Sequence, residues 1–194
     1  PEDPTGVLEE EEEEGTGFID LEQTRVDIEA ELRFESSLVE KINFRIGIND
    51  YEHTEFEADG ATGTVFENEA WEARFEVTHA PALGFDGVAG IQLNDRDFSA
   101  VGEEAFVAPV DSDSQAIFWV GERHFNSFDI ETGLRFEDVN YEPSGITENG
   151  DAFVNVDFST VSASLGGLYQ LNDAVKLSVL LDYAERAPTI EELF

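Results

Sequence analysis

The sequence contains no cysteine, so it has neither a disulfide nor a cysteine nucleophile. It has no run of about 18 apolar residues, which excludes a transmembrane helix. Basic residues are scarce as well: 10 Lys and Arg stand against 45 Asp and Glu, and the formal net charge is −35. A chain this acidic is not expected to bind nucleic acid, because a phosphate backbone attracts the opposite charge.

Catalytic motifs are also absent from the sequence. There is no Gly-x-Ser-x-Gly elbow, no phosphate-binding loop and no pair of histidines at helical spacing. Carboxylates are so numerous that some pair will always lie close enough for acid and base chemistry, which makes such a pair uninformative. We therefore predict that the protein is not an enzyme.

The excess of acid has three possible explanations. Mutual repulsion keeps the molecule solvated, the carboxylates attract cations, or the composition is an adaptation to a saline habitat in which charges are screened. Lysine occurs only at Lys41 and Lys176, which fits the saline habitat. Composition alone does not separate habitat from function.

What the sequence does contain is a repeated alternation of polar and apolar residues. From Arg25 to Phe34 every even position is apolar and every odd position is charged. Because side chains of a strand alternate with period two, one face is suited to hydrocarbon and the other to a wet lumen. The run around 116–120 is apolar on both faces, which leaves its orientation undefined. Eight strands are predicted in all, near 25–34, 42–49, 71–78, 89–94, 116–120, 130–137, 161–167 and 175–183.

The connections between these strands alternate between short and long. Residues 35–40, 80–87, 121–127 and 170–174 are short and turn-like, whereas 50–68, 95–114 and 138–152 are long and acidic. Bacterial outer-membrane barrels have short periplasmic turns and long extracellular loops. The pattern therefore predicts an all-β fold, an antiparallel transmembrane β-barrel segment in a cell outer membrane of the Gram-negative type.

Both ends of the sequence indicate a piece of a longer protein. The polar residues at the start lack the apolar core of a signal peptide, and residues 187–194 begin a new loop without a closing strand. Two open sheet edges would favour aggregation unless the sheet closes or continues into a larger one. We therefore expect residues 1–194 to be one partial barrel domain.

The last residues carry a resemblance to a known family. They resemble the strand-to-loop segment "RAP..EELF" of TonB-dependent outer-membrane receptors. The stretches 50–56, 63–68 and 95–106 also resemble these receptors. The similarity is closest to the branch that includes zinc-uptake receptors. The residues that match this motif are Arg186, Ala187, Pro188, Glu191, Glu192, Leu193 and Phe194.

The resemblance implies a fold and an activity. Such receptors are barrels of 22 strands around an N-terminal plug, so the chain would supply about eight strands of the wall. They import scarce nutrients, and here we expect a metal ion or a metal complex of the zinc or iron–siderophore type. The implied partners are outer-membrane lipid, the receptor's own plug domain, the TonB energy-coupling complex and the metal or metal chelate.

Two groups of residues are candidate ligands for that cargo. The acidic run at 9–14 could bind a hard cation such as calcium through its carboxylate oxygens. It lacks the histidine that receptors of the zinc branch often carry in such a loop. The alternative is that the run is only a solvated loop tip. His53 is the best single metal-ligand candidate, because Glu52 and Glu55 flank it in a predicted long loop. The run consists of Glu9, Glu10, Glu11, Glu12, Glu13 and Glu14.

A further acidic cluster comprises Glu103, Glu104, Asp111 and Asp113. The spacing of Asp111, Asp113, Gln115 and Glu122 resembles a calcium loop, but Ala116 occupies the sixth position, which requires glycine, so we reject a calcium-loop motif. His79 and His124 fall at short turns, on the opposite side of the membrane from His53. We expect no resident cofactor, with a bound zinc or calcium ion as the alternative.

Two other architectures are compatible with the same pattern. The eight strands could close on themselves as a small barrel with a structural or adhesive role. They could also form a soluble acidic sandwich that binds carbohydrate or a partner, in which the apolar faces pack against each other. The regular alternation of short and long connections, together with the resemblance, favours the receptor.

Overall fold

The computed structural model describes residues 17–35, 38–102, 105, 107–146, 151–172 and 174–193. The described residues form one antiparallel sheet in chain order, with β1 and β8 at its two edges. Its elements are β1 (Phe18–Arg33), β2 (Val39–Phe56), β3 (Thr62–Ala82), β4 (Phe85–Gly102), β5 (Val110–His124), β6 (Phe128–Pro143), β7 (Val156–Asn172), β8 (Val175–Ala184) and a short helix α1 (Ile190–Leu193). The predicted all-β barrel segment is confirmed, and each of the eight predicted strands is present.

The alternative architectures are not what the described strands form. Neighbouring strands pair along the whole series, and β1 does not pair with β8 in the part of the chain that the structure describes. The sheet is therefore open, and no second sheet covers either face within those ranges. No helix among the described residues has the length and apolar character needed to cross a membrane.

The predicted long loops 50–68 and 95–114 were wrong for most of their length, whereas 138–152 overlaps β6 only as far as Pro143. β2 continues to Phe56 and β3 begins at Thr62, so only a tight turn separates them, and β4 continues to Gly102. These strand ends have apolar residues such as Phe66 and Phe98 on the inner face and carboxylates on the outer face, so the alternation of an apolar outer face and a polar inner face is lost there. The backbone ladder nevertheless continues, because strand pairing needs no apolar face.

Strand lengths show how far the sheet extends. β3 has 21 residues, whereas a membrane-spanning strand needs only about 9 to 11. The surplus lies toward the turn at 57–61, which we call the distal end of the sheet. The opposite, proximal end is closed tightly by Leu83 and Gly84, whose φ angles of 55° and 84° suit a two-residue hairpin turn.

The two faces of the sheet are defined by the strand register. One row of directly paired residues is apolar in all of its seven strands, and we call its side the outer face. Ile117 in the centre of this row is 60% exposed, so the band is uncovered in this sheet. The row consists of Ala30, Phe44, Phe75, Ile91, Ile117, Phe136 and Val161.

The register also resolves the orientation of β5. Phe118 lies on the opposite, inner face, where it is paired with Gly90. A Cβ atom at Gly90 would lie only 2.4 Å from the Phe118 ring, so glycine leaves the space that the ring occupies. The guanidinium carbon of Arg74 lies 4.2 Å from the ring centroid. An aromatic residue therefore fits the inner face because a glycine and a cation accommodate it.

The only buried apolar cluster of the described residues lies on the inner face near the distal end. Its centre consists of Val107, Val110, Tyr141 and Ile190. Val107 lies in the connection before β5, Val110 lies in β5 and Tyr141 lies in β6. Ile190 lies in the chain that follows β8. The end of the chain thus returns onto the inner face.

Candidate functional site: the inner wall and the return segment

Basic residues concentrate on the inner face. Only Arg123 and Arg186 of the ten basic residues lie elsewhere, Arg123 on the outer face at the proximal end and Arg186 after β8. The alternation of side chains along each paired strand assigns the others to the inner face. They are Arg25, Arg33, Lys41, Arg45, Arg74, Arg96, Arg135 and Lys176.

Most of these arginines are neutralised by carboxylates on the same face. Arg74 lies 2.9 Å from Glu76, and Arg135 lies 2.7 Å from Glu137. Gln92 joins the two pairs, because its Oε1 accepts hydrogen bonds from Arg74 at 3.2 Å and from Arg135 at 3.1 Å. The middle of the inner wall is therefore a polar lattice in which charges are balanced across β3, β4 and β6.

A similar arrangement continues toward β1. Arg25 lies 2.8 Å from Asp27, and Arg45 lies 3.1 Å from Glu29. These residues border an open recess of about 680 Å³ on the inner face of β1 to β4. A charged, hydrogen-bonded surface of this kind suits contact with water, a polar solute or a polar protein surface.

The return segment, residues 185–193, contains most of the predicted family motif. Arg186 and Glu192 form a bidentate ion pair with two contacts of 2.8 Å. The backbone N–H of Thr189 also donates to Glu192, at 2.8 Å. Ile190 is 5% exposed and belongs to the buried cluster. The motif residues thus form a locally braced turn that holds one apolar side chain against the wall.

The electrostatics of the return segment follow from these contacts. The Arg186 guanidinium, with help from the Thr189 N–H, lowers the pKa of Glu192 to about 2, and Glu192 in turn raises the pKa of Arg186. Hydrogen bonds from its own backbone N–H and from the Thr189 side chain lower the pKa of Glu191. Both glutamates are therefore ionised at neutral pH.

His53 lies in β2 and not in a loop. Its ring stacks on Phe66 with a centroid distance of 4.4 Å, and its Nε2 lies 3.7 Å from Glu55. Its Nδ1 is buried and has no hydrogen-bond partner among the described residues. Glu52 is on the outer face, where its register partners are Glu22 and Glu67, so the strand separates it from His53.

The remaining predicted ligands do not converge in the described part of the chain. Asp111 and Asp113 lie on the outer face of β5, directly opposite Asp97 and Asp95. Residues 9–14, Glu103, Glu104 and Phe194 lie outside the described residues. Within the ranges that the structure describes, no group of three or more His, Cys, Asp or Glu side chains is placed to hold a metal ion.

The other two histidines lie at the proximal end, away from His53. The indole N–H of Trp119 donates to His79 Nε2 at 3.0 Å, and His79 Nδ1 contacts the carbonyl oxygen of Ala80 at 2.8 Å. His124 contacts Asp129 and Glu122 at 2.9 and 2.8 Å. Sequence reasoning missed the Trp119–His79 pair, since partners 40 residues apart leave no local signal.

The outer face above the apolar band is acidic. One row of directly paired residues contains a carboxylate in each of five neighbouring strands: Asp50, Glu69, Asp97, Asp111 and Glu142. The outer surface therefore changes from apolar to acidic toward the distal end. Such a change is expected where a wall leaves the hydrocarbon of a bilayer.

A comparison with known families agrees with this geometry. The model of the family described as TonB dependent receptor-like, beta-barrel, matches residues 5–194. An apolar outer band, a charged inner wall and long strands joined by tight proximal turns are the features of such a wall. The chain belongs to the TonB-dependent receptor β-barrel family, whose members are outer-membrane transporters that work with a plug domain and the TonB complex.

Proposed function

We propose that residues 1–194 form part of the barrel wall of a receptor that imports a metal ion or a metal complex, of the zinc or iron–siderophore type. Transport through the outer membrane with TonB as partner follows from the family. The observation that supports a wall role most directly is the seven-strand apolar row on the outer face. That row faces lipid, and the inner lattice faces the lumen and its plug.

The metal cargo is supported by charge and by the sequence resemblance. The net charge of −35 and the acidic distal face raise the local concentration of cations, because a surface of one sign attracts the opposite ion. The motif residues of the return segment resemble the zinc-uptake branch. Binding of a resident zinc or calcium ion at His53, at the acidic runs or at Asp111 and Asp113 is a weaker proposal, because their described donors are dispersed.

Metal uptake by cells tests this function. Cells that express the intact receptor as their one high-affinity route should accumulate radioactive zinc, or iron presented as a siderophore complex, faster than cells that lack it. Deletion of TonB should abolish that difference, because transport depends on energy coupling. Equal accumulation of both forms of metal with and without the receptor would contradict a metal cargo while leaving the wall role intact.

A further inference from the structure

Arg123 is the one basic residue on the outer face of the described strands. We call the outer face of β3 to β8, between the apolar row and the proximal turns, the outer proximal surface, and its strand positions hold no carboxylate. His79 is uncharged there, because its Nε2 accepts the indole N–H of Trp119 and its ring proton on Nδ1 faces the carbonyl oxygen of Ala80. Arg123 therefore carries the one charge of this surface as far as the structure describes it.

The carboxylates that lie nearest along the strands do not neutralise Arg123. Glu122 and Asp129 belong to the inner face by their register, and they contact His124 at 2.8 and 2.9 Å. Asp86 is the register partner of Glu122, so it lies on the inner face as well. Within the described ranges, the guanidinium of Arg123 has no carboxylate within 4.0 Å.

Aromatic rings hold the Arg123 side chain in place. Its guanidinium carbon lies 4.8 Å from the ring centroid of Phe125 and 5.8 Å from that of Phe85. Gly84 gives it room, since a Cβ atom there would lie 2.9 Å from Arg123 Nε. A ring attracts a cation but offers no oxygen acceptor. The N–H donors of Arg123 are therefore available to a ligand.

The depth of Arg123 matches the boundary of a bilayer. It lies six residues after Ile117 of the apolar row, and Asp111 of the acidic row lies six residues before Ile117. A strand rises about 3.3 Å per residue and tilts by about 45° in a membrane, which places each of them roughly 14 Å from the row along the membrane normal. This is about half of the thickness of a hydrocarbon core. Arg123 is therefore at the level of the headgroups of one leaflet, and the acidic row is at the level of those of the other.

We infer that Arg123 and the rings around it bind the phosphodiester of a phospholipid in the leaflet at the proximal end, with the acyl chains of that lipid along the apolar band. The surface joins one uncompensated cation to an apolar wall, so its occupant joins an anion to hydrocarbon. A guanidinium presents several N–H donors in one plane, which matches the oxygens of a phosphodiester. The inference rests on the wall role in the proposed function and extends it from general contact with lipid to one headgroup site.

Photochemical cross-linking in the intact receptor tests this site. The photoreactive amino acid p-benzoylphenylalanine replaces Tyr169, which lies on the outer face opposite Phe128. The receptor is inserted into vesicles of phosphatidylglycerol that contain a minor fraction of diacylglycerol with the same acyl chains. Mass spectrometry of the captured lipid gives the ratio of phosphatidylglycerol to diacylglycerol, which does not depend on the yield of folded protein. With Arg123 intact, this ratio should exceed the ratio in the vesicles.

Three variants separate the headgroup site from a general effect of charge. Arg123→Gln should lower the capture ratio by about tenfold, the lower end of what a hydrogen bond to a charged group contributes. Arg123→Lys keeps the charge but loses the planar array of donors, so its ratio should lie between those of Arg123→Gln and the intact protein. Arg33→Gln is the matched control, because Arg33 lies near the proximal end of β1 on the inner face, paired with Glu31. It should leave the ratio unchanged.

The headgroup site is overturned if phosphatidylglycerol is not enriched when Arg123 is intact, a result that requires no variant to fold. It is also overturned if Arg123→Gln leaves the ratio unchanged, or if Arg33→Gln lowers it equally. Where Arg123→Gln does not insert into the membrane, a ratio in Arg123→Lys equal to that of the intact protein overturns the site. A period of two in spin-label accessibility along β4, together with any of these results, would keep the wall role and reject only the headgroup site.

Discussion

The phenolic hydroxyl of Tyr141 donates a hydrogen bond of 2.8 Å to the backbone carbonyl oxygen of Pro188, 47 residues further along the chain. Tyr141 is also part of the buried cluster that includes Ile190. A single side chain of β6 thus holds the return segment by both a polar and an apolar contact. The segment that carries the family motif is fastened to the inner wall through this residue.

Tyr141→Phe should loosen the return segment without removing the aromatic packing. Loss of the hydrogen bond should cost about 0.5 to 1.5 kcal/mol of the free energy of docking. Limited proteolysis between residues 185 and 193 measures this as faster cleavage. Tyr169→Phe is the matched control, since Tyr169 lies 47% exposed on the outer face of β7. Equal cleavage rates in the two variants would contradict the role of the Tyr141 hydroxyl.

Acid should release the Arg186–Glu192 brace. The pKa of Glu192 is lowered to about 2 from an ordinary value of 4.5, so its contribution is fully present above about pH 4.5 and is lost as the pH falls toward 2. A nitroxide at Glu191 should become more mobile through that interval. In Glu192→Gln the nitroxide should be mobile at every pH. An unchanged acid transition in Glu192→Gln would assign it to another group.

The acidic row of the outer face should make stability depend on salt. Asp97 lies directly opposite Asp111, and facing like charges destabilise a strand pair by about 0.2 to 1 kcal/mol. Asp97→Asn should therefore raise the thermal stability of the receptor at low salt. The gain should vanish near 1 M salt, where the screening length is about 3 Å.

The control for this prediction is an acid that is already paired. Glu76→Gln removes the partner of Arg74 and should lower the stability under the same conditions. A gain from Asp97→Asn that persists in high salt would point to a local packing effect instead of charge repulsion.

Adjacent positions of β2 should respond oppositely to a charge. Phe44 belongs to the apolar outer row, and arginine there should cost about 2 to 4 kcal/mol in a bilayer. Asn43 lies on the inner face between Glu31 and Glu76, so arginine there gains acidic neighbours. Urea unfolding of the receptor in lipid vesicles should show a lower midpoint for Phe44→Arg and an unchanged or higher one for Asn43→Arg. Similar midpoints would contradict the assignment of faces.

The strands could be predicted because alternate side chains face two different environments, one apolar and one polar. From Arg25 to Phe34 the alternation is complete, so the existence of this strand and the assignment of its two faces follow from the sequence. The distal strand ends could not be recognised, since apolar residues such as Phe66 and Phe98 lie on the inner face there and carboxylates such as Asp97 lie on the outer face. Phe118 was ambiguous because its inner position depends on Gly90, which lies on another strand.

The candidate site was less accessible to sequence reasoning than the fold. The motif at Arg186 to Leu193 was visible as a resemblance, but its docking on Tyr141 joins distant parts of the chain. Arg123 follows the run at 116–120 that is apolar on both faces, so the sequence does not show which face it occupies. Its place on the outer face follows from the register of β5 with its neighbours. The sequence predicts a loop at His53, which lies in β2, because the alternation is also lost at the distal end of that strand.

Spin-label accessibility along β4 of the receptor in lipid bilayers tests the central claim most directly. Nitroxides are introduced one at a time at Val88, Ala89, Ile91, Gln92, Leu93 and Asn94. The barrel-wall assignment predicts high accessibility to membrane-dissolved oxygen at the three odd positions and low accessibility at the three even ones. Uniform accessibility to a water-soluble relaxation agent, with no period of two, would contradict a wall that faces lipid on one side and the lumen on the other.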